Sequence, residues 1–197
     1  MTTSLFLSMA AFALAASLSP GPVNVVALSA GARYGLRASI GHVTGATIGF
    51  TLLLLLTGLG LHRLVALWPP SMTLVRWAGV AFLLFMAFKL AADDGQVGPD
   101  RSGNAPSLVQ GAVMQWLNPK AWLAALAGMG AYAAGGEPAL LWQFALIYFV
   151  VCYCSIACWA YAGACLGRLL REARHVRLFN RAMAALLAAS AAYLAWS

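Results

Sequence analysis

Lys120 has the side chain most able to do chemistry in this chain, because its charge lies within a long apolar segment. A lysine at the centre of a membrane-spanning helix costs about 2.5–3.5 kcal/mol on insertion scales, so it usually faces a cavity or a partner. No Asp or Glu lies in any apolar segment to pair with it. The ammonium group can therefore serve as the counter-ion of a substrate carboxylate or as a proton carrier. The alternative is a structural lysine that snorkels towards the interface or holds a broken helix in place.

Two proline-containing breaks occupy matching positions in the two halves of the chain. The first reads Ser19-Pro20-Gly21-Pro22, and the second reads Leu117-Asn118-Pro119-Lys120. Proline removes a backbone donor and clashes with the preceding turn, which leaves carbonyl groups without helix partners. Within a membrane such carbonyls are tolerated only where they face protein or a water-filled cavity. The paired breaks predict a transporter with a substrate site near the membrane midplane.

Polar side chains flank both breaks with helical spacing, so they share helix faces. The two sets are Ser17, Pro20 and Asn24 at the first break and Gln115, Asn118 and Trp122 at the second. Together these faces would form a small chamber suited to a zwitterion, although an Asx-type turn explains Asn118 equally well. The second apolar segment adds a stripe of hydroxyl groups at Thr44, Thr47 and Thr51. The predicted substrate-binding residues are Pro20, Gly21, Pro22, Asn24, Thr44, Thr47, Gln115, Asn118, Pro119 and Lys120.

Three glycines, Gly41, Gly45 and Gly49, recur every four residues along the second apolar segment. Small residues at this spacing let helices approach closely. We assign these glycines to gating or packing, two roles that coincide in a transporter whose helices rock against each other. His42 in the same segment is either a proton relay or, more simply, a packing histidine.

The composition is that of a membrane protein. Of the 197 residues, 62% are hydrophobic and 9% are charged, whereas soluble domains carry about 25% charged residues. Six apolar segments can be drawn, each close to the ~20 residues that a spanning helix needs. They cover residues 5–30, 38–61, 72–91, 108–132, 140–166 and 178–196. The sequence therefore predicts an all-α membrane protein with six transmembrane helices.

The topology follows from one polar loop and from the basic residues. The loop at residues 93–107 divides the chain into residues 1–92 and 108–197. Because three spans per half is an odd number, we expect two inverted three-helix repeats joined by this cytoplasmic linker. Loops one, three and five hold most basic residues: Arg33, Arg37, Lys89, Arg101, Arg168, Arg171, Arg174, Arg177 and Arg181. The positive-inside rule places these loops in the cytoplasm and both termini outside, and lipid headgroups explain the net charge of +7 without nucleic acid.

Signatures of enzymes and of cofactor binding are missing from the sequence. It has no paired carboxylate, no metal-ligand spacing of His and Cys, and no Walker-type glycine loop. We expect no enzymatic activity, no metal and no cofactor. Packing explains the four cysteines of the fifth segment better than a soft-metal or redox site does: Cys152, Cys154, Cys158 and Cys165. A thiol-disulfide protein would need cysteines in both halves, and the first half has none.

The ordered set of motifs resembles the LysE/RhtB family of bacterial amino-acid exporters over nearly the whole chain. The set comprises Ser19-Pro20-Gly21-Pro22-Val23-Asn24, Gly31, Gly35, the glycines up to Gly49, Gly58-Leu59, Lys89 and Leu117-Asn118-Pro119-Lys120-Ala121. The resemblance implies a six-helix exporter of the bacterial inner membrane, driven by the proton motive force and often homodimeric. It also implies a functional role for both breaks and for Asn24.

Branches of that family that export basic amino acids tend to carry carboxylates in helices 2 and 4. The corresponding stretches here are Thr47-Ile48-Gly49 and Trp122-Leu123-Ala124, which disfavours a cationic substrate. We therefore expect export of a small neutral amino acid or derivative by alternating access, with protons and membrane lipid as further partners. The alternatives are efflux of another small metabolite or of a metal cation, or a membrane thiol-disulfide protein.

Overall fold

The computed structural model describes residues 2–61, 70–92, 105–133, 137–169 and 173–196, and nearly all of these residues are helical. The predicted all-α class is therefore confirmed for the described part of the chain. Arg63, Arg101, Arg171 and most of the 93–107 linker lie outside the described residues. The helices, numbered in chain order, are α1 Thr3–Leu18, α2 Pro22–Tyr34, α3 Leu36–Leu56, α4 Pro70–Ala91, α5 Leu108–Trp116, α6 Pro119–Tyr132, α7 Pro138–Leu169 and α8 Ala173–Trp196.

Both predicted breaks are confirmed as interruptions between helices. The first separates α1 from α2, which are bent by 63° relative to each other. Ser19 and Gly21 are extended there, and Pro22 begins α2, where its missing N–H costs nothing. The second break separates α5 from α6, and Pro119 is the first residue of α6. Apolar segments one and four are thus each two shorter helices.

By length and composition, fewer of the described helices qualify as membrane spans than the six apolar segments of the sequence. Within the described residues, 36–60 and 138–167 each form a helix long and apolar enough to cross a membrane. A π-helical turn, Thr57–Leu61, follows α3 and overlaps the end of the first of these. The bent pair α1 and α2 meets the criterion jointly. Six spans and two inverted repeats therefore stay predictions.

Helix α7 is the central element, because it packs against α1, α2 and α3. Helix α3 also packs along α5, and α4 and α8 form a neighbouring pair. The largest completely buried side chains include Phe144, Tyr148 and Ile156 of α7, together with Leu53 and Leu54 of α3. The core therefore lies between the broken helices and the two long apolar ones.

Glycines bring backbones into direct contact at the end of the bundle that carries Arg33 and Arg37, which we call the arginine end. A Cβ atom on Gly31 would overlap the Ala160 carbonyl, and one on Gly163 would overlap the Leu28 carbonyl. These contacts join α2 to the last turns of α7.

The glycine stripe of α3 makes the second contact of the arginine end, against α5. Gly45 packs on the Leu108 backbone, and a Cβ on Gly49 would lie 2.7 Å from the Ala112 Cα. Gly111 of α5 packs in return on the His42 carbonyl. Gly41 has only ordinary contact distances, the nearest being 3.7 Å to the Leu108 nitrogen.

The opposite end of the bundle is filled by aromatic side chains, and we call it the aromatic end. Phe12 of α1 lies 5.9 Å from the Tyr132 ring of α6 and 6.1 Å from the Phe144 ring of α7. The Tyr132 hydroxyl lies 2.9 Å from the Ser8 hydroxyl and donates to the Ser8 carbonyl at 3.1 Å. The glycines here meet side chains instead of backbone: a Cβ on Gly128 would lie 2.7 Å from the Phe144 ring.

Candidate functional site: a cavity between the two breaks

A cavity of about 40 Å³ lies where the two breaks meet, between the arginine end and the aromatic end. This volume is about three times what a single water molecule needs. Five of the predicted substrate-binding residues line it: Gly21, Asn24, Gln115, Asn118 and Lys120. Ser17, which the sequence analysis placed on the same helix face as Asn24, lines it as well. The fold therefore brings the polar faces of both broken helices into one chamber.

Lys120 connects the second break to the first. Its ammonium group donates to the Ser19 carbonyl at 2.9 Å, to the Ser19 hydroxyl at 2.7 Å and to the Pro20 carbonyl at 3.4 Å. An ammonium has three donors, so these three oxygens use all of them. Gly21 permits this approach, since a Cβ there would lie 3.3 Å from the Lys120 nitrogen. In this arrangement Lys120 is held by the protein itself.

The remaining carbonyls at the end of α1 also find donors. The Asn24 side-chain amide donates to the Ser17 carbonyl at 2.9 Å and to the Ser19 carbonyl at 3.0 Å. The Trp159 indole of α7 donates to the Leu18 carbonyl at 3.1 Å. Carbonyls at a helix C-terminus need such partners wherever water is excluded. The first break is therefore stabilised by donors from α2, α6 and α7.

The second break is stabilised mainly from within its own helices. The Asn118 side chain caps α6 by accepting from the Lys120 backbone nitrogen at 3.2 Å, the Asx-type arrangement that the sequence suggested. The Trp122 indole donates to the Trp116 carbonyl at 2.8 Å. Trp122 is buried but does not belong to the cavity wall, unlike Gln115 and Asn118 on its predicted face.

The other predicted residues lie near the cavity without lining it in the described structure. Pro22 and Pro119 begin α2 and α6, and Pro20 contributes its carbonyl to Lys120. The Thr47 hydroxyl donates to the Val43 carbonyl of its own helix at 2.9 Å. The Thr44 hydroxyl lies 3.5 Å from the Tyr153 hydroxyl. Hydroxyl groups that bond the preceding turn are common in apolar helices.

Sequence reasoning missed the half of the wall contributed by α3 and α7. Phe50, Tyr148, Cys152 and Ile156 line the cavity, and the Phe50 and Tyr148 rings stack at 4.4 Å. The apolar run of α7 has almost no polar residues, so its sequence does not mark one face as different from another. The only signals were Tyr148 and Cys152 themselves, which carry polar atoms and are 2% and 3% exposed.

The electrostatic character of the cavity is simple. Among its described lining residues, Lys120 is the one charged side chain, and no carboxylate accompanies it. Amide groups from Asn24, Gln115 and Asn118 supply further donors and acceptors. Within the described residues, no group of three His, Cys, Asp or Glu side chains is placed to hold a metal ion. Such a site suits a small molecule with a carboxylate and no net positive charge.

Known proteins resemble this chain over most of its length. The model of the LysE type translocator family matches residues 14–197. The chain is similar to a cysteine/O-acetylserine efflux protein of Salmonella paratyphi A, with 30% identity over 192 residues and 95% of each chain covered. It is also similar to a cysteine/O-acetylserine efflux protein of Escherichia coli O1:K1, with 27% identity over 190 residues and 95% of each chain covered. No solved structure matches it. The match over most of its length shows that the chain belongs to the LysE type translocator family.

Proposed function

We propose that the protein exports small neutral amino acids or their derivatives across the bacterial inner membrane, using the proton motive force. The observation that carries this proposal is the cavity in which both breaks meet, with one cation and no carboxylate in its described wall. Relatives named as cysteine/O-acetylserine efflux proteins support a substrate of this size and charge. A basic amino acid would bring a second positive charge beside Lys120 without a counter-ion, which is unfavourable.

The groups of the cavity match the two charges of a zwitterion. Lys120 is the partner for the substrate carboxylate, since ammonium–carboxylate hydrogen bonds are stronger than neutral ones. A carboxylate that binds there replaces one or more of the present acceptors, the Ser19 and Pro20 oxygens. The carbonyls so released are then acceptors for the substrate ammonium. Exchange of partners at Lys120 therefore couples substrate binding to the first break.

The two ends of the bundle supply the barriers that alternating access requires. We infer that six spans in two inverted repeats put the arginine end in the cytoplasm and the chain termini outside. On that orientation the present conformation is closed towards the cytoplasm by backbone contacts at Gly31, Gly45 and Gly163. Among the described residues, it is closed towards the outside by side chains: the aromatic rings and the Ser8–Tyr132 hydrogen bonds. Substrate would leave through the aromatic end.

Transport by the full-length protein in proteoliposomes tests the proposal. An imposed pH gradient is applied, and the panel contains O-acetylserine, serine, threonine, homoserine, leucine, lysine and arginine. We expect movement of small neutral members that depends on the gradient, and no movement of lysine or arginine. If no amino acid moves, or if the two basic ones move best, the proposed function is wrong.

Lys120→Ala tests the role of the cation, with Lys89→Ala as the matched control at the exposed end of α4. Hydrogen bonds to charged groups contribute about 1.5–3 kcal/mol, so we expect Lys120→Ala to reduce uptake by at least about tenfold. Lys89→Ala should transport like the parent. Equal transport by both variants would exclude Lys120 from substrate movement.

A further inference from the structure

We propose that Ser17, Tyr148 and Cys152 form the subsite that receives the substrate side chain and thereby selects which amino acid is exported. This inference rests on the proposed function. The side chains it would accept are short and uncharged and carry one hydrogen-bonding atom, such as a hydroxyl, a thiol or a short ester. The sequence predicted that Ser17 faces the chamber, but it gave no indication that Tyr148 or Cys152 does.

The order of groups across the cavity separates the two parts of the substrate. Lys120 contacts Ser19 and Pro20 at one side, where charged groups of the substrate would be held. Asn24 connects this region to Ser17 through its hydrogen bonds to the Ser19 and Ser17 carbonyls. The Ser17 hydroxyl lies beside the side chains of Tyr148 and Cys152, which line the cavity with it. A zwitterion anchored at the breaks therefore directs its side chain towards α7.

The Ser17 hydroxyl is the observation that points to a ligand. Ser17 is 9% exposed and lines the cavity, yet its oxygen has no hydrogen-bond partner within ordinary geometry. Buried polar atoms are nearly always paired, and an unpaired one costs free energy. A hydroxyl, thiol or ester oxygen in the substrate side chain would supply the missing partner. The nearest polar groups of the wall are the Tyr148 hydroxyl and the Cys152 thiol, which lie beside the Ser17 oxygen without meeting the geometry of a hydrogen bond.

The walls limit the size and charge of the side chain. The stacked rings of Phe50 and Tyr148 close one boundary at 4.4 Å, and Ile156 closes another. The cavity of about 40 Å³ has room for about three water molecules, so a substrate fits only if its side chain adds few atoms. A charged side chain would lose its hydration without meeting an opposite charge. Size and charge therefore both favour the small neutral amino acids.

Cys152 makes the subsite accessible to experiment, because the other cysteines have different surroundings. Cys152 is buried, Cys154 and Cys158 are exposed on the outer surface of α7, and Cys165 is intermediate. Replacement of Cys154, Cys158 and Cys165 by serine leaves Cys152 as the only thiol of the full-length protein. Its reaction with methyl methanethiosulfonate in proteoliposomes then reports whether the subsite is filled.

The first test measures this reaction with and without added amino acids. We expect serine and O-acetylserine to slow modification of Cys152 in proportion to their occupancy, and lysine to leave the rate unchanged. As a matched control, a protein that keeps only Cys158 should react at one rate under all conditions. Protection of Cys158 as well, or no protection of Cys152 by any transported amino acid, would overturn the subsite.

The second test compares substrates within a single variant, so that the amount of folded protein cancels. Cys152→Leu adds bulk to the subsite and should lower the ratio of O-acetylserine to alanine transport by about tenfold, the scale of discrimination for small changes in side-chain size. Ser17→Ala should lower the ratio of serine to alanine transport. Cys158→Leu, on the exposed surface, should leave both ratios unchanged.

The outcomes separate this proposal from the one it rests on. If the parent protein transports no amino acid, the proposed function itself is wrong. If the parent transports small neutral amino acids but both ratios are unchanged in Cys152→Leu and Ser17→Ala, the subsite is wrong and the proposed function stands.

Discussion

The two ends of the bundle close the same cavity in different ways. At the arginine end, Gly31 and Gly163 let the backbones of α2 and α7 touch, and Gly45 and Gly111 do the same for α3 and α5. At the aromatic end, the contacts are made by the rings of Phe12, Phe144 and Tyr148 and by the hydroxyl groups of Ser8 and Tyr132. Backbone contacts open only when whole helices move, whereas side-chain contacts open by rotamer changes. The aromatic end is therefore the easier one to open.

The same difference distinguishes the two halves of the chain. Helix α2 follows the first break and packs closely along α7, while α6 follows the second break and has only limited contact with α3. If the halves are inverted repeats, the pair α2 and α7 corresponds to the pair α6 and α3. In this conformation the first pair is closely packed and the second is not. Inverted-repeat transporters alternate by exchanging such unequal arrangements between their halves. The asymmetry is what we expect of one state in a cycle.

Adding a methyl group at the arginine end should have the largest effect. In Gly163→Ala the new Cβ overlaps the Leu28 carbonyl, and neither backbone can give way without separating α2 from α7. We expect a destabilisation of about 3 kcal/mol, at the upper end of overpacking effects. Thermal unfolding in detergent measures it. Gly130→Ala is the control, because Gly130 has nothing within 4 Å of the added atom and should be stabilised by about 1 kcal/mol through helix propensity. Equal stability of the two variants would contradict the backbone contact.

Removing the Ser19 hydroxyl tests the connection between the two breaks, in the cavity that both ends close. Ser19→Ala deletes the shortest of the three Lys120 contacts, 2.7 Å, but leaves the Ser19 and Pro20 carbonyls in place. We expect a loss of about 1.5 kcal/mol in stability, typical of a hydrogen bond to a charged group. Transport should persist with an altered KM, since the ammonium then has a donor available for substrate. A complete loss of transport would show that Ser19 does more than hold Lys120.

Adding a methyl group at the aromatic end should be tolerated better. In Gly128→Ala the new Cβ meets the Phe144 and Phe12 rings, which can shift because they are side chains. Helix propensity favours alanine by about 1 kcal/mol, so the net destabilisation should stay below about 1 kcal/mol. Unfolding temperatures of Gly128→Ala and Gly163→Ala, measured side by side, compare the two ends directly. An equal or larger loss in Gly128→Ala would remove the distinction drawn between them.

The smallest effect is expected from loss of the tyrosine hydroxyl at the aromatic end. Tyr132→Phe removes its contacts with the Ser8 hydroxyl and carbonyl, at 2.9 and 3.1 Å. Exposed hydrogen bonds of this kind lie at the low end of the usual range, at about 0.5 kcal/mol, so the open state should be about twofold more populated. The rate of Cys152 modification in the single-cysteine protein should rise by the same factor. An unchanged rate would mean that the path to the cavity does not pass Tyr132.

The breaks were predictable from the sequence because their causes are local. Pro22 and Pro119 lack a backbone N–H in any tertiary structure, and Asn118 can cap a helix that begins at the next residue. The predicted ends of the apolar segments also lie within a few residues of the observed helix ends. Ser17, Asn24, Gln115 and Asn118 do line one cavity, as predicted, because all four lie close to the breaks that meet there. The helical spacing from which this was predicted is itself interrupted at both breaks.

Other features of the site could not be predicted because they depend on which helix faces meet. The sequence made Thr47 as good a candidate for the chamber as Asn24, but Thr47 bonds its own helix and lies outside the wall. It left the partners of Lys120 open, and they proved to be oxygens about a hundred residues away along the chain. Gln115, Asn118 and Trp122 were predicted to share one face, but only the first two line the cavity. The Trp122 indole instead donates a hydrogen bond to the Trp116 carbonyl at the end of α5.

The sequence by itself determined the helical class, the two breaks and the isolated cation, because each depends on backbone donors, residue spacing and apolar composition. Only the tertiary structure decided that Lys120 is held by the first break and that Tyr148 and Cys152 of α7 complete the cavity. The physical reason is that lipid and protein interior are both apolar. A helix such as α7 needs no polar stripe to distinguish its two faces, so its sequence does not tell which face lines the cavity.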